Sequence, residues 1–233
     1  MRPDFHWHES GQVCRMKFVD IHTHKKSNDG SIQLINHPIQ QEFPESSELN
    51  YSVGFHPWDI DRFEIELMLE NLKKLAERKN VLAIGECGLD RFVSKSIELQ
   101  ENVFIKQIDL AEKLAKPLII HAVKSYPDII RIKKTRQQNL PWILHGYNGN
   151  LQTTRQLLPH GFYFSFGPQI LKANKKHIQS IKEIPIDKLF FETDDSPELI
   201  ETIYIFAAQQ LGLSVNEVQA MVFENYKRIF ENG

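Results

Sequence analysis

The residues best suited to chemistry in this chain are histidines and acids placed at the ends of short apolar runs. They occur in FVDIHTH (His22, His24), YSVGFHP (His56), VLAIGECGLD (Glu86), PLIIH (His121), WILH (His145) and LFFETDD (Asp194). An imidazole or carboxylate buried at the end of an apolar run needs a polar partner, and a divalent cation is the most economical partner for several at once. Residues two apart on a strand share a face, so the two imidazoles of His22-Thr23-His24 point the same way and form a chelating pair. An H-x-H pair alone is weak, because a hydrogen-bonded core histidine is the commoner explanation. The case for a metal-dependent enzyme rests on Glu86, His121, His145 and Asp194 recurring at the ends of later runs.

Elements that bring such residues together are short parallel strands. Apolar runs near 17–22, 31–36, 51–55, 81–86, 117–121, 141–145, 161–166 and 189–193 read as buried strands. Helical periodicity falls at 64–78, 97–114, 127–136, 151–158 and 174–184, with two closing helices at 197–211 and 214–229. Asn150 is placed to cap the helix at Leu151, and Ser214 opens a capping-box pattern, SVNE. Eight strands alternating with helices predict an α/β fold, a TIM (β/α)8 barrel, in which every strand's C-terminal end faces one mouth. The second strand, SIQLIN, carries the weakest pattern. The polar stretch 40–50 after it is too short for a full helix, so one outer helix near the N-terminus is expected to be abbreviated.

The 233 residues suit one barrel: 16–233 as a single hydrolase domain, with 1–15 as a flexible extension. Hydrophobic residues at 41% supply one sizeable core, and 28 Lys+Arg against 30 Asp+Glu leave no global basic field that would mark a nucleic-acid binder. The two cysteines, Cys14 and Cys87, cannot build a disulfide framework, and there is neither an 18-residue apolar run nor a signal-peptide core. A cytoplasmic protein without a membrane span or an obligate protein partner is expected. Trp142 reads as core, whereas Trp58, after a loop proline, reads as pocket rim. Arg131, Lys133, Lys134 and Arg136 read as a solvated helix face. His6 and His8 read as incidental, and His37, His160 and His177 as loop or helix residues away from the strand ends.

The ordered set Asp20–His24 (DIHTH), Gly54–Pro57 (GFHP), Gly85–Asp90 (GECGLD), Pro117–His121 (PLIIH), Ile143–Tyr147 (ILHGY), Gly161–Phe166 (GFYFSF) and Glu192–Asp194 (ETD) resembles the motif series of the TatD family of metal-dependent deoxyribonucleases and related hydrolases. The resemblance runs from about Lys17 to Phe230. It implies two divalent metal ions (Zn, Mn or Mg), one held by His22, His24 and Asp194 and the other by His121 and His145, with Glu86 bridging. It further implies hydrolysis of DNA phosphodiesters by an activated water, with Asp194 as proton acceptor and His56 on the substrate side, where a protonated imidazole would contact a phosphate; the alternative reading of His56 is a histidine that orders the loop begun by Pro57 and Trp58.

The chain departs from the family pattern in three places. Lys124, three residues after His121, stands near where the family has a phosphate-gripping Arg. Tyr147 replaces a Phe, which leaves a hydroxyl either for substrate or for packing. Asp194 is followed by Asp195, Ser196 and Pro197 rather than by a basic loop, which sets an extra negative charge at the mouth. These departures keep two alternatives open: hydrolysis of a small amide, ester or phosphoester, and a catalytically silent metal-binding family member.

Overall fold

The computed structural model describes residues 17–44, 48–93, 96–136, 140–172 and 175–231. The leading segment, with His6, His8 and Cys14, lies outside them. Eight parallel strands follow one another around a barrel in chain order: β1 (Val19–Thr23), β2 (Ile32–Pro38), β3 (Asn50–Gly54), β4 (Val81–Asp90), β5 (Leu118–Val123), β6 (Trp142–Leu144), β7 (Tyr163–Phe166) and β8 (Leu189–Phe191). Closure between first and last strands is narrow. It rests on a bridge at Thr23 and Asp194, with His24 N donating to the Asp194 carbonyl at 3.1 Å and Asp194 N to the His22 carbonyl at 3.0 Å. The seam of the barrel is therefore made by candidate site residues.

Among the described residues seven α-helices cover the strands: α1 (Ile65–Ala76), α2 (Ile97–Leu114), α3 (Tyr126–Lys134), α4 (Leu151–Leu157), α5 (Lys175–Glu183), α6 (Ile200–Leu211) and α7 (Val215–Tyr226). The two expected caps form. Asn150 Oδ1 accepts from Thr153 N at 3.0 Å, and Ser214 and Glu217 make a reciprocal capping box. β2 is among the longer strands despite its weak pattern, since its neighbours on both sides supply the pairing that its own residues do not advertise. No helix lies among the described residues between β2 and β3, as the short polar stretch implied. Helix α6 starts at Ile200 rather than at 197, because Leu199 is still extended (φ −74°, ψ 137°).

The strands form a continuous apolar core, buried on both faces, with Ile21, Val53, Ile84, Ile119, Leu144, Phe164 and Phe190 fully inaccessible. Trp142 is core, 1% exposed. Of the basic residues expected on a solvated helix face, Arg131 and Lys134 are exposed, whereas Lys133 and Arg136, the latter just past α3, are partly covered. Arg131 pairs with Glu101, Arg136 Nη1 lies 2.6 Å from Asp109 and 3.6 Å from Glu112, and Lys133 Nζ stands 4.7 Å over Trp142 and 5.2 Å over Phe162. Packing against ring faces thus uses a side chain that sequence assigned to solvent. Among the described residues no helix is long and apolar enough to cross a membrane.

Two glycines let β4 approach its neighbours. A Cβ at Gly54 would strike the carbonyl of Glu86, and one at Gly88, where φ is +141°, would strike the carbonyl of His121. Gly88→Ala is expected to cost about 3 kcal/mol, combining overpacking with a backbone conformation that alanine avoids. A denaturant midpoint equal to wild type would refute this.

Candidate metal centre

The site residues gather towards the C-terminal mouth of the barrel. β1 carries His22 and leads into His24, β5 carries His121, and Glu86 sits inside the longer β4, which runs on past it to Asp90. His56 and His145 follow β3 and β6 within two residues, and Asp194 follows β8. Asp194 has φ 55°, a left-handed conformation uncommon for a residue with a side chain. At this point the chain leaves β8 and closes against β1.

Glu86 is the hub. Its Oε1 lies 2.7 Å from His145 Nε2, 2.8 Å from His121 Nδ1 and 3.1 Å from His56 Nε2. Its Oε2 lies 3.5 Å from His22 Nε2 and 3.8 Å from His24 Nε2. Asp194 Oδ1 completes the first group at 3.6 Å from His22 and 3.4 Å from His24. Donor atoms close enough to share a cation occur in three sets: His22, His24 and Asp194; His22, Glu86 and His145; and His56, Glu86 and His121.

The set fits a divalent cation. Both ring nitrogens of fully buried His22 lack a hydrogen-bond partner, and its Nε2 faces two carboxylates at distances longer than hydrogen bonds. A buried lone pair left in this state costs free energy unless something fills the gap, and mixed imidazole and carboxylate donors suit Zn, Mn or Fe.

A second layer orients the imidazoles, and the sequence reading missed it. His121 Nε2 faces Asp90 Oδ2 at 3.1 Å and its Nδ1 faces Glu86 Oε1 at 2.8 Å, so a proton held on Nε2 by Asp90 would leave the Nδ1 lone pair to a cation at the centre. His145 Nδ1 faces Glu192 Oε1 at 3.3 Å, which leaves Nε2 for the centre. Glu192 also accepts from Gly146 N at 2.6 Å, Asn36 Oδ1 accepts from Glu86 N at 3.1 Å, and Asp20 accepts from both the backbone and the hydroxyl of Thr193. Helix α2 reaches in with two buried glutamines seven residues apart. Gln107 clamps the backbone of Phe55, at 2.8 and 3.0 Å, and Gln100 clamps that of Asp90 at the same two distances. Two glutamines on the apolar face of one helix were the available signal.

Asp90→Asn and Glu192→Gln are each expected to weaken cation binding by about 10–100-fold, because each loosens the tautomer and orientation of one imidazole. Calorimetric titration of chelator-stripped protein measures this. Wild-type affinity in both variants would show that the carboxylates do not orient the rings.

Electrostatics follow from this packing. Burial works to raise the Glu86 carboxyl, but the His145 charge and hydrogen bonding with His121 and His145 outweigh it and hold Glu86 well below the usual carboxylate range. Burial opposes charge on His145 as well, yet Glu86 and Glu192 hold it well above the ordinary imidazole value. Asp194 is lowered, since hydrogen bonding to His24 and nearby imidazole charge exceed the burial penalty. The centre thus holds protons on imidazoles that a cation would displace.

Not every expected residue serves as read. Burial pulls His56 below its ordinary value against the pull of Glu86, and its Nδ1 accepts from Trp58 N at 3.1 Å. His56 is therefore a neutral ring donating from Nε2 to Glu86, not a protonated imidazole facing a phosphate. Tyr147 is corrected too: it is 3% exposed, packs against Tyr126, Phe164 and Phe166, and hydrogen-bonds Thr154 Oγ1 at 2.8 Å, so its hydroxyl is not offered to substrate. Lys124 is exposed at the mouth with φ 53°. Asp195 does not stand as a lone repulsive charge, since Lys25 Nζ lies 2.8 Å from its carboxylate. His37 belongs to β2 and packs on Phe43 and Tyr51, and His177 on α5 lines the mouth, where the sequence reading did not put it.

Two cavities open onto the centre. One of about 580 Å³ is lined by Phe92, Lys124, Asn148 and His177, the other of about 400 Å³ by His24, His56, Trp58 and Glu86; His121, His145 and Asp194 line both.

A closed parallel barrel with an imidazole–carboxylate cluster at its C-terminal mouth defines a metal-dependent hydrolase of the TIM-barrel class. Comparison with known proteins narrows this. The chain belongs to the TatD family: the model described as TatD related DNase matches residues 16–231. Bacillus subtilis (strain 168) YabD, described as an uncharacterized metal-dependent hydrolase, is 33% identical over 196 residues, covering 77% of this chain and 76% of YabD. Among solved structures, the TatD homologue YjjV of Escherichia coli K12 superposes with a TM-score of 0.80 at 20% identity, covering 93% of this chain and 98% of that one. A TatD family hydrolase from Entamoeba histolytica gives 0.75 at 18% identity, covering 92% and 98%.

Proposed function

We propose that this protein hydrolyses phosphodiester bonds of DNA with two divalent ions held across Glu86. The supporting observation is the division of one carboxylate between two groups of imidazoles, Oε2 towards His22 and His24 and Oε1 towards His121 and His145. In this reading His22, His24 and Asp194 would hold one ion and His121 and His145 the other, with Glu86 shared between them. Such ions supply positive charge for a phosphoryl oxygen and lower the pKa of a water.

The remaining work falls to side chains. Asp194, held as a carboxylate and partly open to the mouth, accepts the proton of the attacking water at an oxygen and returns it to the leaving oxygen. Asp90 and Glu192 keep the two rings in the tautomers that present lone pairs inward. Lys124 offers a point charge to a flanking phosphate, and the Lys25–Asp195 pair removes much of the acidic penalty for a polyanion.

One observation favours a second reading. Among the described residues lining the two cavities, Lys124 alone is a Lys or Arg, which is sparse for gripping a nucleic-acid backbone and suits a small ester or phosphoester. Chelator-stripped protein reloaded with Mn, Zn or Mg and offered single-stranded DNA, duplex DNA and chromogenic esters separates the readings. We expect two ions per chain by elemental analysis, metal-dependent cutting of DNA and loss of activity with chelator. Turnover of small esters without any cutting of DNA would reject the nuclease.

A further inference from the structure

One buried carboxylate ties three groups of the mouth together. Asp90, 2% exposed, accepts from Trp58 Nε1 at 2.7 Å and faces His121 Nε2 at 3.1 Å through Oδ2, while its Oδ1 accepts from Phe92 N at 2.8 Å. The two aromatic residues so tied, Trp58 at its indole nitrogen and Phe92 at its backbone, carry open rings: Trp58 is 54% exposed and Phe92 76%. The indole stands edge-on to His56, with centroids 5.0 Å apart, and to His121 at 5.9 Å. Trp58 lines the 400 Å³ cavity and Phe92 the 580 Å³ cavity, and the floor that both cavities share is His121, His145 and Asp194.

Large aromatic surfaces left in water are unfavourable for the fold and useful for binding, and the indole, already held at its nitrogen, loses little freedom when a ligand covers it. From this arrangement we infer that the two cavities are paired nucleobase subsites, Trp58 stacking the base on one side of the scissile phosphodiester and Phe92 the base on the other. The inference rests on the DNA reading above and deepens it. The unit recognised is a dinucleotide, with its phosphate over the shared floor and one base in each cavity. Stacking uses the π-face that every base possesses, so cleavage shows little base preference at either position. The Asp90 oxygen that holds the indole also faces His121, which sets the base subsite directly beside the centre.

The test uses metal-loaded protein and short single-stranded oligonucleotides, intact or with an abasic residue on one side of the cleaved linkage. On intact substrate, Trp58→Ala and Phe92→Ala each raise KM about tenfold with kcat nearly constant. On the substrate lacking the base in the matching subsite, the same variant changes KM less than twofold, and the two variants answer to opposite sides. Trp58→Phe, which keeps a ring but loses the indole donor, recovers most of the lost KM. KM within twofold of wild type on intact DNA, or equal losses on intact and abasic DNA, overturns the stacking subsites alone. A KM change accompanied by loss of bound ion also overturns them, because the effect would then run through His121. Wild-type protein that cuts no DNA overturns both the subsites and the nuclease reading.

Discussion

Glu86→Gln is expected to lower kcat/KM by at least about a thousandfold and to reduce bound metal below two ions per chain. Five imidazoles approach this carboxylate within 3.8 Å, and glutamine keeps its shape while removing the charge that offsets theirs. Charge stabilisation by bound cations is worth several kcal/mol of transition-state energy, and about 4 kcal/mol corresponds to the thousandfold loss. The barrel itself survives, because the surrounding core of Ile21, Ile84, Ile119 and Leu144 is untouched. Circular dichroism and elemental analysis on the same sample check both halves of the statement. Activity within tenfold of wild type would remove Glu86 from the centre of the mechanism.

Asp194→Asn should reduce kcat by roughly 10²- to 10⁴-fold, the range spanned by a positioned proton acceptor. Unlike the Glu86 change, it leaves most of the metal in place: asparagine still offers a neutral oxygen, and His22 and His24 remain. KM should move little, since the lost interaction belongs to proton transfer rather than to holding substrate. The backbone at position 194 tolerates this change better than most, because asparagine accepts the left-handed conformation observed there (φ 55°). Full metal loss in this variant, or a kcat within threefold of wild type, would assign Asp194 to ligation alone or to neither role.

The contrast between these two variants maps onto what was readable in the chain. Short apolar runs ending in His or an acid are a local signal, and buried parallel strands demand nothing else of sequence. From them followed the eight strands, their common direction and the clustering of His22, His24, Glu86, His121, His145 and Asp194 at one mouth. The local caps at Asn150 and Ser214 were equally legible, because a cap is complete within four residues. What lies between strands was less so. Lys133, in a basic helical stretch, lies over Trp142 and Phe162 only because α3 packs where it does.

Sequence by itself determined the strand-and-helix alternation, the family motifs and the residue types of the centre. Tertiary structure alone decided which atom of each residue faces which. Whether His121 offers Nδ1 or Nε2 depends on Asp90, 31 residues earlier, and whether Tyr147 meets substrate depends on Thr154 and two phenylalanines of β7. His56 turned from an expected cation into a neutral donor because burial beside Glu86 disfavours its charge while Trp58 N occupies its other nitrogen. Periodicity specifies the face on which a side chain stands. Its tautomer, charge and exposure are set by neighbours distant in the chain, and only packing brings those into contact.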